Sequence, residues 1–272
     1  MNLENYFISQ LSSNHIGDDG AYIDGVIYSK DAFFENIHFK TKWMNYYQIA
    51  QKAMLVNISD AIAMNATPKY ALLSVAMPRS MTKHDMRELI RGFETVSSQY
   101  GIDIIGGDTI SNTKLDITIT IISKTDKPLR RSGVKVGDLL AYTGELGSSA
   151  RDLKKLLNLG TIHKSSKFVN IKLREKFIKN AASYLKSGMD ISDGLFSDLN
   201  KISSLNRIGY KFMKKIPKSV GCSGEEYEML VAFDKRDIKA IKRRAQSSRT
   251  ELNIFAKATR TRYTNRCKAH HF

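Results

Sequence analysis

Between Ile49 and Met64, apolar residues occupy more than one stripe of a helix, which predicts a helix buried over most of its surface. Asp60 lies inside this segment, so its carboxylate is predicted to be buried as well. A buried carboxylate is costly unless a cation or hydrogen-bond donors meet it, and a metal ion is the natural partner. The alternative is an Asp that caps a break in the helix or pairs with an Arg from elsewhere in the chain.

The remainder of the first half alternates between strand and helix patterns. We predict a short helix from Asn2 to Leu11, a hairpin turning at Asp24-Gly25, a strand from Lys69 to Met77, a helix from Thr82 to Tyr100, a short strand from Ile102 to Ile105 and an alternating strand from Leu115 to Ser123. A linker is predicted at Lys127-Pro128, because a Pro and a change of charge coincide there.

The second half shows the same mixture of patterns. We predict a strand from Asp138 to Thr143, helices from Gly147 to Leu159 and from Lys172 to Ser187, a stop at Gly188, a helix ending near Leu205, strands near Tyr210, Leu230 and Ile254, and a basic helix between the last two strands. The fold class is therefore predicted to be α/β (α+β), with two mixed α/β domains at residues 1–127 and 128–272.

Composition supports a folded protein and raises the question of a nucleic-acid partner. The chain has 272 residues, 42% hydrophobic content and a net charge of +16. Residues 1–128 hold 12 Lys and Arg against 14 Asp and Glu, whereas residues 129–272 hold 31 against 13. The basic half interleaves Lys with apolar residues at helical spacing, so a solvated basic face is favoured over a nucleic-acid surface.

Several features indicate a cytoplasmic protein without a membrane partner. No apolar run approaches 18 residues, and the first residues lack the basic and apolar regions of a secretory signal. The two cysteines, Cys222 and Cys267, are far apart and lack metal-ligand spacing. We therefore expect two reduced thiols in a reducing compartment rather than a disulfide.

Six aspartates share one context, because each lies beside Gly, Ser or Thr near an apolar segment: Asp19, Asp31, Asp60, Asp108, Asp190 and Asp193. If these stretches converge, oxygen ligands without a His and Cys cluster suit Mg²⁺ better than zinc. Several Mg²⁺ ions indicate a polyphosphate substrate, and hence a kinase or a ligase. Each stretch alone is also typical of an ordinary turn or helix start.

Common nucleotide motifs are missing from the sequence. It contains neither a P-loop nor a Gly-x-Gly-x-x-Gly, and no Gly-x-Ser-x-Gly elbow. Arg131, in Arg130-Arg131-Ser132-Gly133, is the cation expected at phosphates, with a two-Arg surface turn as the alternative.

Seven ordered motifs give the sequence a specific resemblance. They are Ile-Gly-Asp-Asp (16–19), Ser-Lys-Asp (29–31) with Glu-Asn-Ile-His-Phe (35–39), Asn-Ile-Ser-Asp-Ala-Ile-Ala-Met (57–64), Gly-Gly-Asp-Thr (106–109), Arg-Ser-Gly-Val-Lys-Val-Gly-Asp (131–138), Asp-Ile-Ser-Asp-Gly-Leu (190–195) and Ser-Gly-Glu-Glu-Tyr-Glu (223–228). Together they resemble bacterial thiamine-monophosphate kinases, over nearly the whole chain.

The resemblance implies a fold, a reaction and a set of residues. It implies two α/β domains like those of aminoimidazole-ribonucleotide synthetases, a homodimer formed through the first, and Mg²⁺-dependent phosphorylation of thiamine phosphate by ATP, giving thiamine diphosphate. The implied Mg²⁺ positions are Asp19, Ser29, Lys30, Asp31, Asp60, Asp108, Asp190 and Asp193, with Asp60 and Asp193 catalytic. Gly107, Asp108, Arg131 and Ser192 would face the nucleotide, and His38 and Glu225 the thiamine phosphate.

The sequence departs from the family pattern at a few positions. Lys30 replaces the usual Thr, so it could act as a ligand only through its carbonyl, with its ammonium pointing away. Asn36 and Asn65 replace glycines, and Asn tolerates a positive φ. Ala269 replaces an aromatic residue, for which Tyr263 or Phe272 could substitute. Two related families, selenophosphate synthetases and hydrogenase-maturation proteins, are disfavoured because the chain lacks their N-terminal or C-terminal cysteines.

Overall fold

The computed structural model describes residues 3–268, which form ten strands and eight α-helices. In chain order these are α1 (Leu3–Ser9), β1 (Ala21–Ile23), β2 (Val26–Phe34), α2 (Tyr46–Ala63), β3 (Thr67–Pro78), α3 (Lys83–Tyr100), β4 (Asp103–Asn112), β5 (Asp116–Lys124), β6 (Leu139–Thr143), α4 (Ser148–Leu157), α5 (Glu175–Ala181), β7 (Leu185–Asp190), α6 (Leu195–Asn206), β8 (Gly209–Phe212), α7 (Lys218–Gly221), β9 (Met229–Phe233), α8 (Ile238–Ser247) and β10 (Leu252–Thr259). The mixed α/β fold predicted from the sequence is confirmed.

The first sheet has the order β1-β2-β5-β3-β4, with β3 and β4 parallel and the other pairs antiparallel. The predicted hairpin is present, since Ile23 pairs with Val26 across Asp24-Gly25. On β5, Ile117, Ile119 and Ile121 alternate with less buried residues and form its core face. The alternation that predicted this strand therefore also identifies the side that faces the helices.

Helix α2 lies against this core face and is buried on nearly all sides, as its sequence predicts. Besides the first sheet and α3, it also contacts β7 of the second sheet. Gly92 of α3 allows the two helices to pack closely, because a Cβ there would collide with the carbonyl of Tyr47. The predicted cap of α3 is also present: Thr82 Oγ1 accepts from Asp85 N at 3.2 Å, and Asp85 accepts from Thr82 N at 2.9 Å.

The second sheet is antiparallel throughout, in the order β7-β9-β6-β10-β8. One of its faces shares a hydrophobic core with α2 and the first sheet, and this core includes Phe33, Phe168 and Val231. A second core, including Leu140, Leu199 and Phe255, lies between its other face and α6. The first sheet is thus formed by residues 21–124 and the second by residues 139–259.

Two sequence-based assignments are wrong. The helix predicted from Lys172 to Ser187 is divided into α5 and the strand β7, and Gly188 lies inside β7 rather than ending a helix. Its apolar spacing fits a helix, but pairing of β7 with β9 determines the structure. The strand predicted from Ile102 to Ile105 continues as β4 through Asn112, because its whole length pairs with β3.

The expectation of two unpaired thiols is also wrong, because Cys222 and Cys267 form a disulfide. The chain that follows β10 returns across α6: the hydroxyl of Tyr263 donates to the carbonyl of Phe196, and Asn265 Nδ2 donates to Ser197 Oγ. This path brings Cys267 to the end of α7, a proximity that spacing along the sequence does not reveal. Ala269 and Phe272, which figured in the expectation about a substrate-packing aromatic, lie outside the described residues.

Both asparagines expected to take a positive φ do so, Asn36 at 68° and Asn65 at 56°. Asn therefore forms the positive-φ turns expected at these two positions. Within residues 3–268, no helix has the length and apolar character needed to cross a lipid bilayer.

Candidate active site

A cavity of about 510 Å³ opens between α2, strand β2 and the loops of the second half. Ten of the residues predicted from the sequence line it: Asp19, Lys30, Asp31, His38, Asp60, Arg131, Asp190, Ser192, Asp193 and Glu225. They come from both halves of the chain, so the ordered motifs are brought together in space. Three predicted residues, Ser29, Gly107 and Asp108, are not part of its lining.

Polar residues near the end of α2 position the acidic side of the cavity. Asn57 Oδ1 accepts from the amide of Asp31 at 2.8 Å, which fixes β2 against the helix. Ser59 Oγ donates to Asp190 Oδ2 at 2.6 Å and so fixes the end of β7. Asp60 is the next residue; it faces the cavity and is therefore partly buried, rather than fully buried as the sequence predicts. The polar run inside an otherwise apolar helix thus connects three elements at the site.

Asp19, Asp60 and Asp190 form the centre of the acidic side, which we call the acidic triad. One carboxylate oxygen from each lies within 4.8 Å of the other two. Asp19 Oδ2 is buried without a hydrogen-bond partner among the described residues. Carboxylate oxygens that converge in this way are the donor set that Mg²⁺ prefers. The residues therefore fit the metal that the sequence predicts.

Burial and mutual repulsion raise the pKa of these carboxyl groups above their usual values in the metal-free protein. Burial, and then the charge of Asp31, raise the pKa of Asp60 well above its usual value. Burial followed by the charge of Asp19 does the same to the pKa of Asp190. For Asp31, burial and then Asp19 raise the pKa to about 6. The site thus holds more negative charge than its surroundings can neutralise.

Arg131 is the cation nearest to the triad. Its Nη2 lies 2.5 Å from Asp19 Oδ1, and its backbone amide donates to Asp18 Oδ1 at 2.8 Å. Burial alone would lower the pKa of Arg131, but Asp19 raises it above its usual value. The alternative of an exposed two-Arg turn does not describe Arg131, whose side chain is 18% exposed.

A second acidic group, formed by Asp193, Asp198 and Lys201, lies at the start of α6 and is called the Lys201 clamp below. Lys201 Nζ lies 2.6 Å from Asp193 Oδ2 and 2.9 Å from Asp198 Oδ1. The amide of Asp193 also donates to Asp198 Oδ2 at 3.2 Å. Burial alone would lower the pKa of Lys201, but Asp198 and then Asp193 raise it well above its usual value.

The other end of the cavity lies beside Lys52, which precedes Asp60 by eight residues of α2, or about 12 Å, and it is formed by His38, Phe168 and Glu225. The amide of Phe34 donates to His38 Nδ1 at 3.0 Å, which favours the neutral ring with its proton on Nε2. Glu225 has a φ of 54°, and its amide donates to the carbonyl of Ser192 at 2.7 Å. These contacts place an imidazole, an aromatic ring and a carboxylate at the end away from the triad.

Lys52, buried in α2, supports this end. Its Nζ lies 2.7 Å from Glu225 Oε2 and 4.0 Å from the centroid of the Phe168 ring. The ion pair and the cation-π contact together hold the carboxylate and the ring in place.

The carboxylates on either side of Tyr227, Glu226 and Glu228, turn away from the cavity and are fully paired. Arg174 Nε and Nη2 each lie 2.7 Å from an oxygen of Glu228. Lys167 Nζ lies 3.2 Å from Glu226 Oε2 and 3.0 Å from Glu228 Oε1. Within the motif Glu-Glu-Tyr-Glu, the first Glu thus faces the cavity and the other two anchor its loop.

The predicted residues outside the lining lie on the first sheet. Ser29 is buried and donates to the carbonyl of Asn57 at 3.3 Å. Gly107 and Asp108 lie on β4, and a Cβ at Gly107 would collide with the carbonyl of Leu73, so only Gly fits there. Lys30 Nζ donates to Thr118 Oγ1 at 3.2 Å on the exposed face, so its ammonium points away from Asp31, as expected.

Four residues at the site were not predicted from the sequence: Lys52, Phe168, Asp198 and Lys201. A signal exists for three of them. Lys52 is a cation inside the apolar pattern of α2, two turns before Asp60. Asp198 and Lys201 are three residues apart and therefore share a helix face that begins beside Asp193. Phe168 lies in a segment without helix or strand, where periodicity carries no information. Tyr263, proposed as the substitute aromatic, packs against Tyr210 and is not part of the lining.

Known proteins resemble this chain in sequence and in fold. The family model described as AIR synthase related protein, N-terminal domain, matches residues 17–125. The thiamine-monophosphate kinase of Leptospira interrogans is 32% identical over 237 residues, 78% of this chain and 76% of the relative. That of Bacillus subtilis is 34% identical over 218 residues, 74% of this chain and 67% of the relative.

Among solved structures, AaThiL complexed with AMPPCP and TMP superposes with a TM-score of 0.87 at 22% identity, covering 99% of this chain and 96% of that one. This likeness concerns the fold, while the sequence identities above concern descent. By these sequence identities the chain belongs to the thiamine-monophosphate kinase family.

Proposed function

We propose that this protein transfers the terminal phosphoryl group of ATP to thiamine phosphate and forms thiamine diphosphate. The observation that carries the proposal is the two-ended cavity, with an acidic triad short of counter-charge at one end and His38, Phe168 and Glu225 at the other. A polyphosphate with its metal ions suits the first end, and an organic cation suits the second. Membership of the family supports this assignment of the two substrates.

In this proposal the acidic end holds Mg²⁺ through Asp19, Asp31, Asp60 and Asp190. Bound there, the metal would neutralise phosphate oxygens of the nucleotide. Arg131 and Ser192 also line the cavity and would hold the nucleotide itself. Asp60 is central because the charges of Asp31 on β2 and of Asp190 on β7 both act on it.

At the other end, Glu225 would bind the positively charged organic part of thiamine phosphate, and Phe168 would stack on it. His38 would donate from Nε2 to a polar group of the same substrate, since its Nδ1 already accepts from the backbone. The ion pair with Lys52 would hold Glu225 in this orientation. The two substrates would then meet in the middle of the cavity.

We propose direct in-line transfer, without a phosphorylated enzyme. The Ser149 hydroxyl, which lines the cavity, already donates to the carbonyl of Glu225, and no described serine there contacts a general base. Positioning and charge neutralisation suffice for phosphoryl transfer. Trapping of labelled phosphate on the protein from labelled ATP would contradict this step.

We further propose a homodimer formed through the first sheet. Strand β4 is an edge strand that exposes Ile104, Ile105 and Ile110, and an exposed apolar edge is suited to pairing with another chain. In the register of the sheet, Asp31 and Asp108 are separated by three strand spacings, about 14 Å, and lie on opposite faces. Asp108 could then act only in the cavity of a second copy.

A mixing experiment tests the dimer. Asp60→Asn and Asp108→Asn homodimers should each be inactive, and a mixture that exchanges subunits should regain activity because one site per mixed dimer has both residues intact. If the protein sediments as a monomer, or if mixing restores nothing, Gly107 and Asp108 have no role in nucleotide binding of this kind.

The proposal includes the division into domains at residues 127 and 128, which lies between the last strand of the first sheet and the first strand of the second.

A biosynthetic kinase that consumes ATP is expected in the cytoplasm, which is the compartment we propose.

The direct test is an assay with ATP, Mg²⁺ and thiamine phosphate, in which thiamine diphosphate is separated from its precursor and quantified. Unphosphorylated thiamine, offered in a parallel reaction, tests whether the acceptor must already carry a phosphate. We expect product only with thiamine phosphate and only with Mg²⁺. Absence of thiamine diphosphate from the complete reaction would refute the proposed function.

A further inference from the structure

The two acidic groups of the cavity differ in how their charge is compensated. Within the described residues, Asp60 and Asp190 form no ion pair, and Arg131 pairs only with Asp19 of the triad. At the Lys201 clamp, one ammonium lies within 3 Å of an oxygen of both carboxylates, at 2.6 Å from Asp193 and 2.9 Å from Asp198. The first group therefore needs an external cation, and the second already contains one.

The position of Lys201 in α6 explains why its side chain reaches this place. Side chains of a helix lean toward its N-terminus, so Lys201 extends back over the turn that carries Asp198 and toward Asp193, which precedes the helix. The N-terminal end of a helix disfavours a cation. The ammonium is thus held there by the two carboxylates against the helix field.

Asp198 adds a further constraint. Its side chain is fully buried, and Lys201 is its ion-pair partner in the described part of the chain. A buried carboxylate with a single counter-charge binds that charge strongly, because losing it leaves the carboxylate in a medium that solvates it poorly. The Lys201 ammonium therefore cannot move into solvent unless another cation binds at Asp198 in its place.

We propose that the Lys201 ammonium occupies the cation position at Asp193, so that this residue is not a Mg²⁺ ligand and divalent ions bind only at the acidic triad with Asp31. The proposal rests on the metal site of the proposed function and changes the expectation that the family resemblance gives for Asp193. Lys201 then presents a fixed positive charge to the cavity, where its side chain is 33% exposed.

The number of bound metal ions tests this inference. Mn²⁺ serves as the probe, because the electron paramagnetic resonance signal of free Mn²⁺ gives, by difference, the number of ions bound to the protein. The titration starts from metal-free protein and is done first with Mn²⁺ alone and then with AMPPCP present. We expect Asp193→Asn to bind as many ions as the wild type, whereas Lys201→Met should bind one more per chain. The double variant Lys201→Met/Asp193→Asn should lose that additional ion, and Lys201→Arg should match the wild type.

Thermal melts give a second readout on the same proteins. Lys201→Met leaves the buried Asp198 without its partner, so the metal-free variant should have a lower melting temperature than the wild type. Mn²⁺ should raise its melting temperature by more than it raises that of the wild type. If Lys201→Met does not fold, Asp193→Asn decides the matter alone, because it retains Lys201.

The inference is overturned if Asp193→Asn loses an ion, or if Lys201→Met binds no more than the wild type. Asp60→Asn separates this outcome from a failure of the proposed function, since it removes metal from the triad and leaves the Lys201 clamp intact. Metal binding unaffected by Asp60→Asn would show that the triad is not the metal site. The comparison of Asp193→Asn with Lys201→Met would still test whether Lys201 occupies the cation position at Asp193.

Discussion

Two groups of carboxylates in this protein differ in how far neighbouring cations and hydrogen-bond donors compensate their charge. Glu226 and Glu228 are each nearly inaccessible, yet Arg174, Lys167 and the hydroxyl of Thr143 meet their oxygens. In the acidic triad Asp190 is buried and Asp19 and Asp60 are partly buried, but Arg131 is the one described cation that pairs with it, and Asp19 Oδ2 has no hydrogen-bond partner among the described residues. Burial of an acid therefore does not distinguish a structural residue from a ligand. The shortage of counter-charge does.

The difference has consequences of opposite sign for stability. Removing a cation from the paired group leaves a buried charge, which is strongly destabilising. Removing a carboxylate from the triad relieves desolvation and repulsion in the metal-free protein. Mutations in the two groups should thus separate function from stability.

The largest effect is expected on activity at the triad. Asp60→Asn removes one of the three converging carboxylates of the triad, and formation of thiamine diphosphate should fall by at least about a thousandfold, or about 4 kcal/mol in activation free energy. The exposed turn residue Asp126, changed to Asn, is the matched control and should keep wild-type activity. A loss of less than tenfold in Asp60→Asn would remove Asp60 from the catalytic site.

The paired group should show its largest effect on stability. Arg174→Met takes both nitrogens from Glu228 and should lower the free energy of unfolding by about 3 kcal/mol, with no recovery when Mg²⁺ is added. Lys179→Met, which breaks an exposed pair with Glu175, is the control and should cost less than about 1 kcal/mol. Denaturant unfolding of both variants measures the difference, and equal losses would show that Glu228 is not held as described.

The shortage of counter-charge should also appear in the pH dependence of the metal-free protein. The folded pKa of Asp31, about 6, exceeds the unfolded value, so the folded state binds more protons. The stabilisation is complete below the unfolded pKa and is lost as the pH rises through about 6. A shift of about two pKa units corresponds to about 3 kcal/mol for this residue.

The free energy of unfolding should therefore decrease between pH 5 and pH 7.5 without metal, and saturating Mg²⁺ should reduce that slope. Asp31→Asn should reduce it in the metal-free protein as well. Denaturant unfolding at several pH values provides the measurement. A stability that rises over this interval would mean that the carboxylates are ionised and paired in a way the structure does not show.

A smaller effect is expected at the opposite end of the cavity. Glu225→Gln and His38→Ala should raise KM for thiamine phosphate about tenfold, equivalent to about 1.4 kcal/mol, and leave KM for ATP near its wild-type value. Initial rates with each substrate varied in turn make the distinction. An equal rise in KM for ATP would show that these residues do not belong to an acceptor end separate from the acidic end.

Much of this arrangement could be predicted from the sequence, where local pattern and structure agree. Helix α2 follows from its apolar run, α3 from the cap at Thr82, and the first hairpin from Asp24-Gly25. Asp60 stood out because a single carboxylate interrupts a buried pattern. Each of these features depends on neighbours within a few residues, which is the range that periodicity and capping describe.

What the sequence did not reveal depends on contacts between distant segments. Strand β7 has the spacing of a helix and becomes a strand by pairing with β9. The partners that distinguish Glu225 from Glu226 and Glu228 come from α2, β6 and the segment before α5. The disulfide joins residues 45 positions apart. In each case the deciding interaction is a tertiary one, for which a single sequence offers no local signal.

The measurement that tests the central claim most directly is a set of thermal melts of wild type and Asp60→Asn, with and without Mg²⁺ and ATP. If the triad is a metal site, the metal-free variant should be at least as stable as the wild type, because the mutation removes a buried and repelled carboxylate. With Mg²⁺ and ATP the order should reverse, since ligand binding stabilises the wild type more. A metal-free variant clearly less stable than the wild type, with the same ligand-induced shift, would mean that Asp60 is a structural residue and that the metal binds elsewhere.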